Sequence, residues 1–282
     1  MNTTERPATL FVPHGAPTFA LRPGAAGAAL RAAADRWPRP RAIVMVSAHW
    51  ETTDPTVGFA TRPPTIHDFS GFPRELYALT YPASGCPEAA AEVAGALEAA
   101  GLRAVRDAAR GLDHGAWVPL RLMYPDADVP IVPLSVQPHA GAGHAYRVGR
   151  ALAPLVARGL QVIASGNVTH NLGDYFRAAA GGGTSPAYVR EFADWLAGRL
   201  AVRDVEALLA WRTRAPAAAR AHPTEEHLLP LFVALGAAGE HGAIERLHAG
   251  IDDYVLAMDA YAFPRAPDLD PDRITSPTPE HA

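Results

Sequence analysis

Lysine is missing from the 282 residues; every one of the 25 basic side chains is arginine. In a chain this rich in alanine and glycine, the absence reads as codon bias, but it excludes Schiff-base chemistry on a lysine amine. Cysteine occurs once, as Cys86 between Gly85 and Pro87, so no disulfide can close within the chain and a reducing, cytoplasmic setting is expected. No apolar stretch reaches bilayer length; the longest, such as 228–239, are short and contain proline, which speaks against a membrane span. Residues 1–7 have no basic segment followed by an apolar run, so no secretory leader is expected. An excess of positive charge is lacking too. With 29 acidic against 25 basic residues the net charge is -4, which gives no footing for a nucleic-acid or membrane-surface partner. Also absent are the Gly-x-Ser-x-Gly elbow, the P-loop, a Gly-x-Gly-x-x-Gly turn after a strand and the His-Glu-x-x-His helix.

What is there is a repeated unit, a short apolar run followed by a histidine. Ile43–Val46 reads as a buried strand ending at Ser47-Ala48, and His49 follows. Thr9–Val12 leads to Pro13-His14-Gly15, and Gln161–Ser165 leads to Gly166-Asn167-Val168-Thr169-His170. In open α/β sheets ligands bind at the carboxyl ends of strands, so the pattern aims these imidazoles at one rim.

The rest of the chain alternates. Helices are expected over Ala25–Trp37, Pro87–Ala100, Val118–Met123 and Gly143–Arg158, and strands over Val57–Ala60, Leu102–Val105 and Val129–Val136. Beyond Gly181–Pro186, read as a loop, helices are expected over Ala187–Leu200, Asp204–Trp211 and Glu225–Leu235, the last with His227 in its first turn. A strand is expected over Tyr254–Phe263. This order predicts an α/β fold: a single domain, residues 8–263, with a central mixed, mostly parallel sheet flanked by helices. Residues 264–282, rich in proline and aspartate, read as a disordered tail. The proline- and aromatic-rich stretch Thr61–Pro73 is long for a plain connector, and long loops often carry function.

Most of the 12 histidines belong on the surface or in a satisfied core. His139, His144, His241, His248 and His281 lie in polar or loop surroundings. His14, His49 and His170 follow strands, and His114 and His227 stand at expected helix starts. Neutral imidazole suits Fe, Zn, Cu and Ni. The residues by themselves support an α/β enzyme with a multi-histidine metal site.

Six segments carry a more specific signal: Pro13–Pro17, Val46–Trp50, Pro64–Phe69, Leu112–Gly115, Ala164–Leu172 and Pro223–Leu231. In order and from about Leu10 to Phe263 they resemble the 4,5-DOPA extradiol dioxygenase family, within the class III extradiol ring-cleaving superfamily. The resemblance implies cleavage of a catechol, a small aromatic diol, by O₂ with non-haem Fe(II). It implies His14, His49 and His227 as metal ligands, and His170 as either a further ligand or the catalytic acid and base. It implies His114 as a group that contacts substrate. For the His67-Asp68-Phe69 loop it leaves a substrate hydrogen bond and a purely structural turn equally open, and for His222 it gives no counterpart. Many extradiol enzymes hold iron with two histidines and a carboxylate. Here His227 takes the third position, which raises the charge of the centre toward a dianionic catecholate, and Glu226 beside it is an expected acceptor for an imidazole N–H. Zn(II) in the isolated protein is expected as well, since such sites bind it tightly. The rival readings are a Zn-dependent hydrolase on the same scaffold and a non-catalytic metal-binding interaction protein. Neither the particular catechol nor the oligomeric state can be read from these residues.

Overall fold

The strands of the chain are β1 (Thr9–Pro13), β2 (Ala42–Glu51), β3 (Thr56–Gly58), β4 (Val105–Asp107), β5 (Ile131–Val136), β6 (Leu160–Gly166), β7 (Glu245–His248), β8 (Ile251–Asp252), β9 (Leu256–Ala257) and β10 (Ala260–Phe263). In this computed structural model, residues 9–181, 183–239 and 242–264 are described. Eight strands form one sheet in the order β4-β3-β5-β2-β6-β1-β10-β7, and β8 and β9 make a separate two-stranded ribbon. The centre, β5-β2-β6-β1, is parallel throughout, while β10 joins β1 antiparallel and β3 joins β5 antiparallel. The expected mixed, mostly parallel sheet in a single α/β domain is what the chain forms.

Every residue of β1, β5 and β6 is buried, as a sheet covered on both faces requires. One helical layer contains Pro87–Ala99, Gly141–Val156 and Leu229–Ala237; another contains Gly24–Arg36 and His114–Met123. The helix Leu229–Ala237 is buried on every side. It meets Gly141–Val156 through two glycines, because a Cβ on Gly149 would lie 2.1 Å from the Val233 carbonyl oxygen.

Several boundaries differ from expectation, each for a local reason. β2 does not stop at Ser47-Ala48 but runs to Glu51, so His49 lies within the strand; the pairing with β5 shifts register between Val46 and Glu51. The strand expected over Leu102–Val105 is instead Val105–Asp107. Gly101, at φ +72°, closes the preceding helix, and the Leu102 N–H donates to the Leu97 carbonyl at 2.9 Å, so Leu102 is consumed by the cap. The helix expected from Val118 starts at His114, with Asp113 capping it through the Ala116 N–H. The helix expected from Glu225 starts only at Leu229, leaving His227 in the turn before it. Pro230 enforces this: its ring is tolerated in a helix's first turn and would clash with the carbonyl four residues back in an interior. Asp204–Trp211 is broken into Val205–Leu209 and Trp211–Arg214, and Tyr254–Phe263 is divided between β9 and β10. β7 and the helix Leu172–Gly181 were not expected. The tail expected over 264–282 lies outside the described residues except for Pro264, and residue 182 of the expected Gly181–Pro186 loop lies outside them as well. Among the described residues no helix is long and apolar enough to cross a membrane.

Candidate metal centre

The centre grows from the carboxyl ends of three adjacent parallel strands, β2, β6 and β1. Ser165 on β6 is level with Ser47 on β2 and with Val12 on β1. That register brings the end of β1 beside β6, where His14 Nδ1 lies 2.9 Å from Ser165 Oγ. Gly15 then turns the chain at φ +58°, a left-handed conformation natural to glycine, and its N–H donates to Asn167 Oδ1 at 3.2 Å.

The same strand end seats His227, which comes from a distant part of the chain. The Asn167 N–H donates to the His227 carbonyl at 3.0 Å. A Cβ on Gly166 would lie 2.1 Å from that carbonyl oxygen, so only glycine permits the approach. The His227 ring is fixed at its other end by Glu226, whose Oε1 lies 2.9 Å from Nδ1. Glu226 therefore stands where the sequence placed an imidazole acceptor.

The three Nε2 atoms converge. His49 Nε2 is 3.1 Å from His14 Nε2 and 3.3 Å from His227 Nε2. Two bonds of about 2.1 Å to a shared ion subtend roughly 95–105° at such separations, within the range of tetrahedral and octahedral coordination. The donor chemistry agrees. A carboxylate only accepts, so His227 donates from Nδ1 to Glu226 and presents Nε2 as a lone pair. Burial, and then the neighbouring imidazoles, hold His14 and His227 well below the ordinary histidine range. His49 is pushed down to about 3 by burial first and by His114 next, against the pull of Asp68. The cluster is thus neutral near pH 7, the protonation state a metal requires. These residues fit a metal ion held by three imidazoles.

Two further histidines complete the cluster. The His114 ring lies 4.0 Å from that of His49 and 5.4 Å from that of His14, centre to centre. His170 lies face to face on His227, with ring centres 3.4 Å apart and planes 8° from parallel. Burial first, then His49 and His114, push His170 down to about 3. All five histidines singled out in the sequence are brought together.

Residues of the Pro64–Phe69 and Leu112–Gly115 segments, none of them expected at the metal, hold this arrangement. Asp113 is buried, accepts from Ser47 Oγ at 2.6 Å and pairs with Arg110 at 2.5 Å. Gly115 lets the His114 helix close on the strand, since a Cβ there would lie 2.6 Å from Ser47 Oγ and 2.8 Å from His49 Cδ2. Asp68 Oδ1 accepts from the His114 N–H at 2.8 Å and Asp68 Oδ2 faces His114 Nδ1 at 2.9 Å. Neither reading of the His67-Asp68-Phe69 loop included that contact. His67 itself turns away and bonds the Leu79 carbonyl at 2.9 Å. His222 is fully buried between Phe192 and Trp211 and bonds the Val168 carbonyl at 2.8 Å, outside the cluster. A cavity of about 690 Å³ lined by Arg190, Asp194, Arg246 and Tyr254 among others lies apart from the clustered histidines, none of which lines it.

Comparison with known proteins gives one consistent answer. Residues 24–263 match the model of a family described as the catalytic LigB subunit of aromatic ring-opening dioxygenase. A 4,5-DOPA dioxygenase extradiol from Beta vulgaris is 39% identical over 262 residues, covering 90% of this chain and 96% of that protein. A protein of the same name from Escherichia coli is 38% identical over 250 residues, covering 84% and 87% respectively. The crystal structure of an uncharacterized protein from Escherichia coli K12 superposes with a TM-score of 0.75 at 30% identity, covering 92% of this chain and all of that one.

Proposed function

The chain belongs to the LigB family of aromatic ring-opening dioxygenases, as an extradiol ring-cleavage enzyme of the 4,5-DOPA dioxygenase group, and from that premise we propose that it opens a DOPA-like catechol with O₂ using Fe(II). The observation that carries the proposal is the convergence of the Nε2 atoms of His14, His49 and His227 at 3.1 and 3.3 Å. These three residues hold the metal. Iron(II) bound there supplies a redox-active centre that can pass electron density to O₂, which Zn²⁺ cannot do.

The protein's own part is to orient the diol and to manage its protons. His170 takes a hydroxyl proton and later returns one. Burial keeps His170 unprotonated but also weakens it as a base; the negative charge of a bound catecholate raises its proton affinity back toward the operating range that the role needs. His114, tied down by Asp68 and lying beside His49, hydrogen-bonds the substrate or O₂. Both atoms of O₂ end in one product of the muconic semialdehyde type, one in its aldehyde and one in its carboxylate, formed where the ring carbon–carbon bond beside the diol breaks.

The test is oxygen uptake with a panel of catechols, measured on protein loaded anaerobically with Fe(II) or with Zn²⁺. Uptake with the iron form alone is expected, with a new near-ultraviolet or visible absorbance from the opened ring. Uptake by an iron-free zinc form would refute the redox assignment, and ester or amide hydrolysis by the zinc form would favour a hydrolase.

A further inference from the structure

Asp68 lies in the stretch Thr61–Pro73 and is aimed at the cluster by its neighbours. Thr65 bridges to Leu112, with the Ile66 N–H on the Leu112 carbonyl at 2.7 Å and the Leu112 N–H on the Pro64 carbonyl at 2.8 Å. Trp117 Nε1 donates to the Ile66 carbonyl at 3.0 Å. Beyond Asp68, the Phe69 ring stands edge-on to His114, with centres 5.7 Å apart and planes at 89°. The carboxylate is thereby clamped to the segment that leads into His114.

Its two oxygens do different work. Oδ1 takes the backbone N–H of His114, which is a free donor at the start of a helix. Oδ2 faces His114 Nδ1 at 2.9 Å and lies 3.6 Å from His49 Nδ1. A carboxylate can only accept, so a neutral His114 ring carries its proton on Nδ1. Its Nε2 is then a bare lone pair, and a ring nitrogen of His114 lies within 4.8 Å of nitrogens of His14 and His49. An imidazole left to choose its own tautomer would present N–H there for part of the time.

We propose that Asp68 is a positioning residue that locks His114 in the Nδ1–H tautomer, so that Nε2 faces the substrate as a hydrogen-bond acceptor. The assignment of a use in turnover rests on the dioxygenase reading above; the tautomer itself does not. A merely structural role for Asp68 would need only Oδ1 on the backbone N–H, and asparagine supplies that oxygen equally well. Asparagine, however, would turn its NH₂ toward Nδ1 and reverse the tautomer.

The experiment compares the wild type with Asp68→Asn and Asp68→Ala. Nitrogen-15 chemical shifts of the His114 ring, identified by their loss in His114→Gln, report the tautomer in zinc-loaded protein. Steady-state kinetics with the best catechol and bound-iron analysis report its use. We expect Nδ1–H in the wild type and Nε2–H in Asp68→Asn. We also expect kcat to fall about 10–100-fold in both variants, with iron content retained and KM changed less than about threefold. Nε2–H in the wild type, an unchanged tautomer in Asp68→Asn, or turnover by Asp68→Asn within about threefold of wild type would overturn the proposal. If the wild type turns over no catechol, the dioxygenase reading fails, and the chemical shifts alone decide the Asp68 assignment.

Discussion

His14 and His49 are delivered by strands of the central sheet, whereas His170 and His227 are delivered by loops and turns ahead of helices and His114 by the first residue of one. On the sheet side, position follows from backbone pairing: the register of β6 with β1 and with β2 sets where both imidazoles emerge. On the loop side, position depends on a few contacts made at close range. Examples are the Gly166 approach to the His227 carbonyl, the Asn167 N–H that bonds it, and the Asp68 bonds to His114. Strand pairing distributes tolerance over many hydrogen bonds, while each loop histidine can be displaced by one substitution.

The largest effect should come from the sheet side. His49→Ala removes the imidazole that lies between the other two Nε2 atoms, and we expect loss of bound iron and of detectable turnover; a variant that still binds one equivalent would break the three-imidazole assignment. Next is His170→Ala on the loop side. This ring is stacked on His227, and its loss should leave bound iron in place while lowering kcat by about 10²–10⁴-fold. If iron departs as completely as in His49→Ala, His170 is a ligand and the base must be sought at His114.

Gly166→Ala attacks the join between the two sides. The added Cβ would meet the His227 carbonyl at 2.1 Å, and overpacking of this kind costs about 1–3 kcal/mol. A lower urea midpoint and weaker iron retention are expected together; a normal midpoint with normal iron would show that the loop side is not seated as described.

The smallest effect belongs to His222, which supports the loop side from outside the cluster. Burial pushes its pKa down to about 3, with the Val168 carbonyl opposing, against about 6.5 in an unfolded chain. A histidine with a lowered folded pKa binds its proton first in the unfolded state, so its contribution to stability is present above about pH 6.5 and is lost as pH falls toward 3. His222→Phe should therefore make the decline of metal-free stability between pH 6.5 and 5 shallower by about one proton, or about 1.4 kcal/mol per pH unit. Urea midpoints at these pH values, with and without the substitution, measure the difference, and parallel curves would contradict the burial of a neutral imidazole.

The same division explains what could be read without the structure. Ile43–Val46 and Gln161–Ser165 are uninterrupted apolar runs, and the edge where their histidines emerge follows from topology alone. His114 and His227 stood out only as expected helix starts and through their motifs, since nothing local says that His227 meets His49 across 178 positions. Its turn was mistaken for a helix because the apolar spacing from Glu225 onward outweighed the constraint that Pro230 imposes. The contact of Asp68 with His114 spans 46 positions, joining a loop to a helix start, and no periodicity records such a pair. The helix Leu172–Gly181 escaped because it directly follows His170 and runs into glycines that read as loop.

The position of β6 has a consequence for timing. One strand orients His14 through Ser165, lies beside the strand of His49 and receives His227 at its end. Its partners are drawn from both halves of the chain, and contacts of such long sequence separation form late, after loop closure has been paid in entropy. A nascent or partly folded chain thus offers at most scattered imidazoles to a metal. On the proposed reading, affinity for a metal would emerge only once β1, β2 and β6 have paired and the His227 turn has docked, so the metal and O₂ would meet only in a protein whose fold is already finished.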